Sequence, residues 1–150
     1  MLASDIMTSS IITVSSETLV SEAAQMMLNH NVSCLPVVDN NESVIGILTH
    51  TDFGLNHKLI GSSGKIFMVL GTYATPDNFE KVTEDLLSQK VGDVMSKNPI
   101  TIDYNKSIAD VISSMISNKI NRLPVLKKGK LIGIISRHDL LKVLVNKSLL

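Results

Sequence analysis

Four short segments of this 150-residue chain occur twice, in the same order and at almost one spacing, and this duplication limits the fold more than any other feature. Asp5-Ile6-Met7 is matched by Asp93-Val94-Met95, Ile12-Thr13-Val14 by Ile100-Thr101-Ile102, and Leu35-Pro36-Val37 by Leu123-Pro124-Val125, all at an offset of 88. Gly46-Ile47-Leu48-Thr49-His50-Thr51-Asp52 is matched by Gly133-Ile134-Ile135-Ser136-Arg137-His138-Asp139 at an offset of 87. The residue is lost where Asn40-Asn41-Glu42 faces Lys127-Lys128-Gly129. A length change confined to a polar turn is what two diverged copies of one unit show, because turns tolerate it and cores do not.

Each copy reads the same way. A short strand is expected around Ile11 to Val14 and around Ile100 to Ile102. The following helix carries Val20, Ala23, Ala24, Met27 and Leu28 in one copy and Ile108, Val111, Ile112, Met115 and Ile116 in the other. Both sets follow the i, i+3, i+4, i+7, i+8 spacing of an amphipathic helix with one buried face. Two β-rich runs come next, Cys34 to Val38 and Val44 to Leu48, then Arg122 to Leu126 and Leu131 to Ile135, each pair joined by the polar turn. A second helix is expected to start at Thr49 or Ser136. The unit is β-α-β-β-α and the fold class α/β. Half of this length would be marginal alone, so the two units are expected to bury one another about an approximate two-fold axis. With 44% hydrophobic residues but only 3% aromatics, the interior must be aliphatic, and Met26, Met27 and Met115 read as core.

These boundaries place the first repeat at 1–60, an inter-repeat insertion at 61–91 and the second repeat at 92–150. Within the connection, Gly61-Ser62-Ser63-Gly64 is flexible in composition and Ile66 to Leu70 is apolar. Asp77 with Glu80 resembles a capping box for a helix carrying Phe79, Val82, Leu86 and Leu87. Its apolar face reads as extra core, with a lid or a dimer contact as the alternatives.

Several function classes fit poorly. Fourteen basic residues balance 14 acidic ones, so no net field draws in nucleic acid or an anionic membrane, and two Tyr and three Phe leave little for base stacking. The single Cys34 can form no intrachain disulfide, which fits a reducing cytoplasm, and buried packing is the expected role for it. No run approaches the roughly 18 apolar residues of a membrane span. His30, His50, His57 and His138 do not share a helix face at metal-ligand spacing. No Ser-His-Asp, Cys-His, Walker or Rossmann signature is present, so an enzyme is not expected.

The Asp-Ile/Val-Met opening, the Leu-Pro-Val strand and above all the Gly-h-h-Ser/Thr-x-x-Asp run (h apolar), each present in both copies, resemble the CBS-domain family. The resemblance implies a tandem CBS-domain pair, two β-α-β-β-α repeats with two clefts related by a pseudo-two-fold axis. Relatives bind adenosine-containing ligands there, AMP, ADP, ATP or S-adenosylmethionine, act as regulatory modules, and as free-standing pairs commonly form homodimers. No obligatory cofactor is implied. A regulated partner protein is implied but not identified.

Thr49 and Asp52, like Ser136 and Asp139, sit where an apolar strand is expected to give way to a helix N-terminus, which attracts phosphate. The resemblance implies that Asp52 and Asp139 accept hydrogen bonds from ribose hydroxyls and that Thr49 and Ser136 help hold phosphate. The alternative is a capping box that satisfies orphan N–H groups, and the two roles are compatible. The resemblance also builds the adenine slot from the first strand and the residues before Leu-Pro: Ile12, Val32, Ser33 and Cys34, and Ile100, Ile120, Asn121 and Arg122. One cleft then combines Thr49, His50 and Asp52 with the second-copy set, and the other combines Ser136, Arg137 and Asp139 with the first-copy set. Core packing is the competing account of Val32 and Ile120. Arg122 and Arg137 offer planar forks for phosphate, with a solvated surface role as the alternative. The matching Cys34 and His50 offer no permanent charge, so the two clefts are expected to differ in phosphate affinity.

Overall fold

A computed structural model describes residues 1–50, 52, 56–59, 65–69, 72–75 and 77–147. Along the chain the elements are α1 (Ala3–Ile6), α2 (Val20–His30), β1 (Cys34–Val38), β2 (Val44–Thr49), β3 (Asn56–Leu59), β4 (Lys65–Val69), β5 (Thr72–Ala74), α3 (Phe79–Leu87), α4 (Val91–Val94), β6 (Ser96–Lys97), β7 (Ile102–Asp103), α5 (Ile108–Ser117), β8 (Arg122–Lys127), β9 (Lys130–Ser136) and α6 (Arg137–Lys147). They gather into two compact units whose limits do not follow the repeats. One unit comprises Met1–Ile11, Val38–Ile45 and Asn98–Leu150, and the other Ile12–Val37 and Gly46–Lys97.

In the first unit, β7 pairs parallel to β8 and β8 antiparallel to β9, with a register shift between Val125 and Leu126. Lys128 and Gly129, at φ of 51° and 78°, turn the chain between β8 and β9. Ala3, Ile6, Val111, Met115, Leu123, Val125, Ile135 and Val143 form its core. The chain's own opening segment therefore packs with the second copy. Thr8 exchanges backbone hydrogen bonds with Ile134 of β9, at 2.9 and 3.0 Å. The Met7 side chain lies over Gly133, where a Cβ would come 2.5 Å from its sulfur.

The second unit repeats this exchange. Its sheet has the order β1-β2-β6, and β6, which follows the second Asp-Val-Met, pairs antiparallel with β2 through Gly46–Lys97 and Ile47–Ser96. Met95 lies over Gly46 as Met7 lies over Gly133. Val14, Val20, Ala23, Met27, Leu35, Val37, Leu48, Leu86 and Val91 are buried. The strands β3, β4 and β5 form a separate antiparallel sheet.

Several expectations need correction. The strand around Ile11 to Val14 reduces to one parallel bridge between Val14 and Val37, and the strand at Ile100 to Ile102 moves to Ile102–Asp103. Each partner strand carries a proline, Pro36 or Pro124, which brings no N–H to the ladder, so pairing there stays short. The helix expected to start at Thr49 is absent among the described residues: His50 and Asp52 lie in a turn and β3 follows. Gly54 and Asn56 are poor helix formers, and β3 finds its hydrogen bonds with β4 instead. Of the apolar helix faces only one stripe is buried, through Val20, Ala23 and Met27 in α2 and Val111 and Met115 in α5, while Leu28, Ile112 and Ile116 are exposed. Met26 is only half-buried. The helix expected after Asp77 is found as α3 with Leu86 buried, but its N-cap is Asn78. The Asn78 carboxamide oxygen accepts from Thr75 N–H and Oγ1, at 2.6 and 3.1 Å, so the Asp77–Glu80 box does not form. Gly61-Ser62-Ser63-Gly64 lies outside the described residues.

Candidate functional site

At the end of β9 the chain turns directly into α6, leaving Ser136 at the cap position with Asp139 three residues on. Asp139 Oδ2 accepts from Ser136 N–H at 2.8 Å and from Ser136 Oγ at 2.7 Å. Its Oδ1 accepts from Lys142 Nζ at 2.7 Å. Asp139 is 4% exposed, and among the described residues it is the buried charged side chain. Burial pushes its carboxyl pKa up. The hydrogen bonds from Lys142 and from Ser136 N–H and Oγ, with the Lys142 charge, outweigh that and hold it below the usual carboxylate range. Half of the capping box expected as the alternative role, the bond from Ser136 N–H to the Asp139 carboxylate, is thus present at the second copy.

The first copy makes the same turn, with no helix among the described residues that follow. Thr49 N–H and Oγ1 reach Asp52 Oδ2 at 2.7 and 3.2 Å, and Asp52 N–H returns to Thr49 O at 3.0 Å. The phosphate argument built on a helix N-terminus at Thr49 therefore lacks its helix among the described residues.

One hydrogen bond occurs twice and ties each motif to the segment before Leu-Pro in the same copy. His50 N–H donates to Ser33 O at 2.9 Å, and Arg137 N–H donates to Asn121 O at 3.1 Å. His50 Nδ1 also lies 3.2 Å from Ser33 O. Arg122 is directly opposite Ser136 in the β8–β9 ladder. Ser33, Cys34, Thr49, His50 and Asp52 thus gather at one end of β1 and β2, and Asn121, Arg122, Ser136, Arg137 and Asp139 at one end of β8 and β9. Arg122 and Cys34 are half-buried, and Asn121, Arg137, Ser33 and His50 are exposed. Val32 and His50 share a hollow of about 330 Å³ with Ala24, Met27, Leu28 and Asn31. Ile12 is half-buried, Ile100 is exposed, and Ile120 packs against the core of its unit, as its competing account requires.

Sequence reasoning missed the segments Met7-Thr8 and Ser96-Lys97, which lie beside the two motif strands, and it missed Lys142. The doubled Asp-h-Met pattern carried a signal for the first two, and the i, i+3 spacing from Asp139 carried one for the third. Among the described residues no cluster of three His, Cys, Asp or Glu could hold a metal, and no helix is long and apolar enough to cross a membrane.

A family model described as CBS domain matches residues 3–53 and 91–146, the stretches that contain both motif turns. The chain belongs to the CBS domain family. A CBS domain-containing protein of Dictyostelium discoideum is 32% identical over 145 residues, covering 96% of this chain and 91% of that protein. The fold is that of solved CBS domain pairs. The crystal structure of CBSX2 of Arabidopsis thaliana in complex with AMP matches with a TM-score of 0.72 at 23% identity, covering 98% of each chain. The CBS domain pair of protein MJ0100, in complex with 5'-methylthioadenosine and S-adenosyl-L-methionine, matches with a TM-score of 0.71 at 22% identity, again covering 98% of each. Other curated CBS relatives are longer, and this chain spans 23% and 56% of the lengths of two of them.

Proposed function

We propose that this CBS pair is a regulatory module, not an enzyme, that senses adenosine-containing nucleotides through its two Ser/Thr-x-x-Asp turns and acts on a partner protein in the cytoplasm. AMP, ADP and ATP are the leading ligands, which would make it a sensor of energy state, and S-adenosylmethionine is the further candidate. Residues 1–60 and 92–150 are the sensing repeats and 61–91 the insertion. The observation that carries this reading is the Asp139 carboxylate, kept ionised at the N-terminus of α6 beside Ser136, with Arg122 across the ladder and Arg137 next in sequence. Such a constellation offers acceptors for ribose hydroxyls and, close by, helix N–H groups and guanidinium forks for phosphate. The adenosine ligands of the relatives above support it. Ligand binding would favour whichever conformation completes the site, and the partner reads that shift.

Melting the protein with AMP, ADP, ATP, S-adenosylmethionine and NAD in turn tests the reading. A ligand at a hundred times its dissociation constant adds about 2.7 kcal/mol, or roughly 5–10 °C in a chain of this size. No shift with any of the five would sink it. The second reading, a dimerisation module that keeps the fold without the ligand, draws on the apolar side chains left exposed on α5 and α6: Ile112, Ile116, Leu141, Leu144 and Val145.

A further inference from the structure

Lys142 stands in the way of the carboxylate that the proposed function assigns to ribose. Asp139 is almost wholly covered, and Ser136 N–H and Oγ both occupy its Oδ2. Its remaining oxygen, Oδ1, is held by Lys142 Nζ at 2.7 Å. A diol hydrogen-bonding to Oδ1 must share or displace that ammonium. Displacement is feasible because the Lys142 side chain is 55% exposed and on a flexible stem. A hollow of about 250 Å³ adjoins it, lined by Lys142, Met1, Asp5, Ile6, Met7 and Val143. The freed side chain has room there. The Asp5 carboxylate on that wall already caps its own helix by accepting from Leu2 N–H at 2.7 Å.

Among the described residues the first copy shows no such counter-ion. The position equivalent to Lys142 is Leu55 in the sequence, outside the described residues, and Asp52 Oδ1 has no partner among the described residues. Among the described residues the two turns thus share an aspartate and a hydroxyl and differ in the ammonium that holds Asp139.

We propose that Lys142 is a displaceable counter-ion that makes the second-copy site selective for phosphorylated ribosides. The inference rests on the ribose role of Asp139 given above. A neutral nucleoside that displaces Lys142 breaks its pair with Asp139 and brings no anion to replace it, leaving the ammonium to water or to the Asp5 carboxylate that already caps its own helix. A nucleotide brings a phosphate that takes it up, so the pair that is lost is replaced by another. Lys142 thereby penalises adenosine while leaving AMP nearly unaffected.

The test uses the full chain with Asp52→Ala, to silence the first-copy turn, and measures adenosine and AMP binding by calorimetry with and without Lys142→Met and Lys142→Arg. Lys142→Met is expected to tighten adenosine about tenfold, in keeping with the strength of a hydrogen bond to a charged group, and to leave AMP unchanged or weaker. The AMP-to-adenosine affinity ratio then falls at least about tenfold, and Lys142→Arg restores it. A ratio within twofold of the parent overturns the proposal. A ligand-free readout separates this failure from failure of the nucleotide reading. In a carbon-13 NMR titration the Asp139 carboxyl midpoint should move up in Lys142→Met, and no movement means that the contact is not made in solution. If the midpoint moves but no variant binds either ligand, the ribose role of Asp139 falls, and the selectivity inference with it.

Discussion

Asp139 concentrates at one residue the tension between stability and recognition. Buried carboxylates are costly unless hydrogen-bonded, and here three donors on two residues satisfy it. Its pKa is lowered on folding, so between the folded value and the usual carboxylate value near 3.9 the unfolded chain binds more protons and stability rises with pH. The contribution is fully present above about pH 4 and is lost as pH falls through the folded pKa. Asp139→Asn, neutral and of nearly the same shape, is expected to lower stability by about 1–2 kcal/mol at pH 7. In urea unfolding at a series of pH values the gap to the parent protein should close in acid. A gap of constant size would show that the charge does not matter. The sequence displayed Asp139 as a motif residue twice over, but burial and the Lys142 contact were not legible in it, since both depend on how α6 meets β9.

Glycine packing in the motif strands shows how far a doubled pattern extends at the level of elements. Gly133 in β9 and Gly46 in β2 hold equivalent places, and a methionine from an Asp-h-Met segment covers each. The three atoms nearest a Cβ at Gly46 all belong to the Met95 side chain, which can swing aside. At Gly133 it would also lie 3.1 Å from Thr8 O, a backbone atom held in the ladder with Ile134. Gly46→Ala is therefore expected to be close to neutral, because Ala also gains from reduced chain entropy in a strand. Gly133→Ala is expected to cost about 1–3 kcal/mol through overpacking. Thermal melts of the two variants decide the matter, and equal losses would refute the distinction. Helix and strand identity came readily from periodicity at α2, α5, β1, β2, β8 and β9. It failed after Thr49, where β3 lies inside a copy that otherwise follows its twin, because hairpin pairing with β4 overrode the expectation carried over from the other repeat.

The whole molecule raises the question of what covers its apolar surface. Periodicity assigned five apolar positions to one buried face on α2 and on α5, and within the units that face is only partly used. Ile116 remains 68% exposed on α5 and Leu144 66% exposed on α6. Isolated exposed aliphatics need no explanation, but a group of them on α5 and α6 suits self-association, the homodimer that the resemblance led us to expect. Ile116→Glu with Leu144→Glu is expected to shift the protein to monomer in sedimentation velocity while circular dichroism stays unchanged. An unchanged sedimentation coefficient would exclude these helices as the contact.

The sequence by itself determined the duplication, the family, the aliphatic core and the two Ser/Thr-x-x-Asp turns, because these are properties of local spacing and residue type. Tertiary structure alone decided that each Asp-h-Met segment packs on the other copy's motif strand, as Met7 on Gly133 and Met95 on Gly46. It also decided that Asp139 is buried against Lys142. Such contacts depend on which remote segments meet and how much water they exclude. Two sequence copies that agree in pattern leave that open, since identical motifs with different neighbours acquire different burial, counter-ions and chemistry.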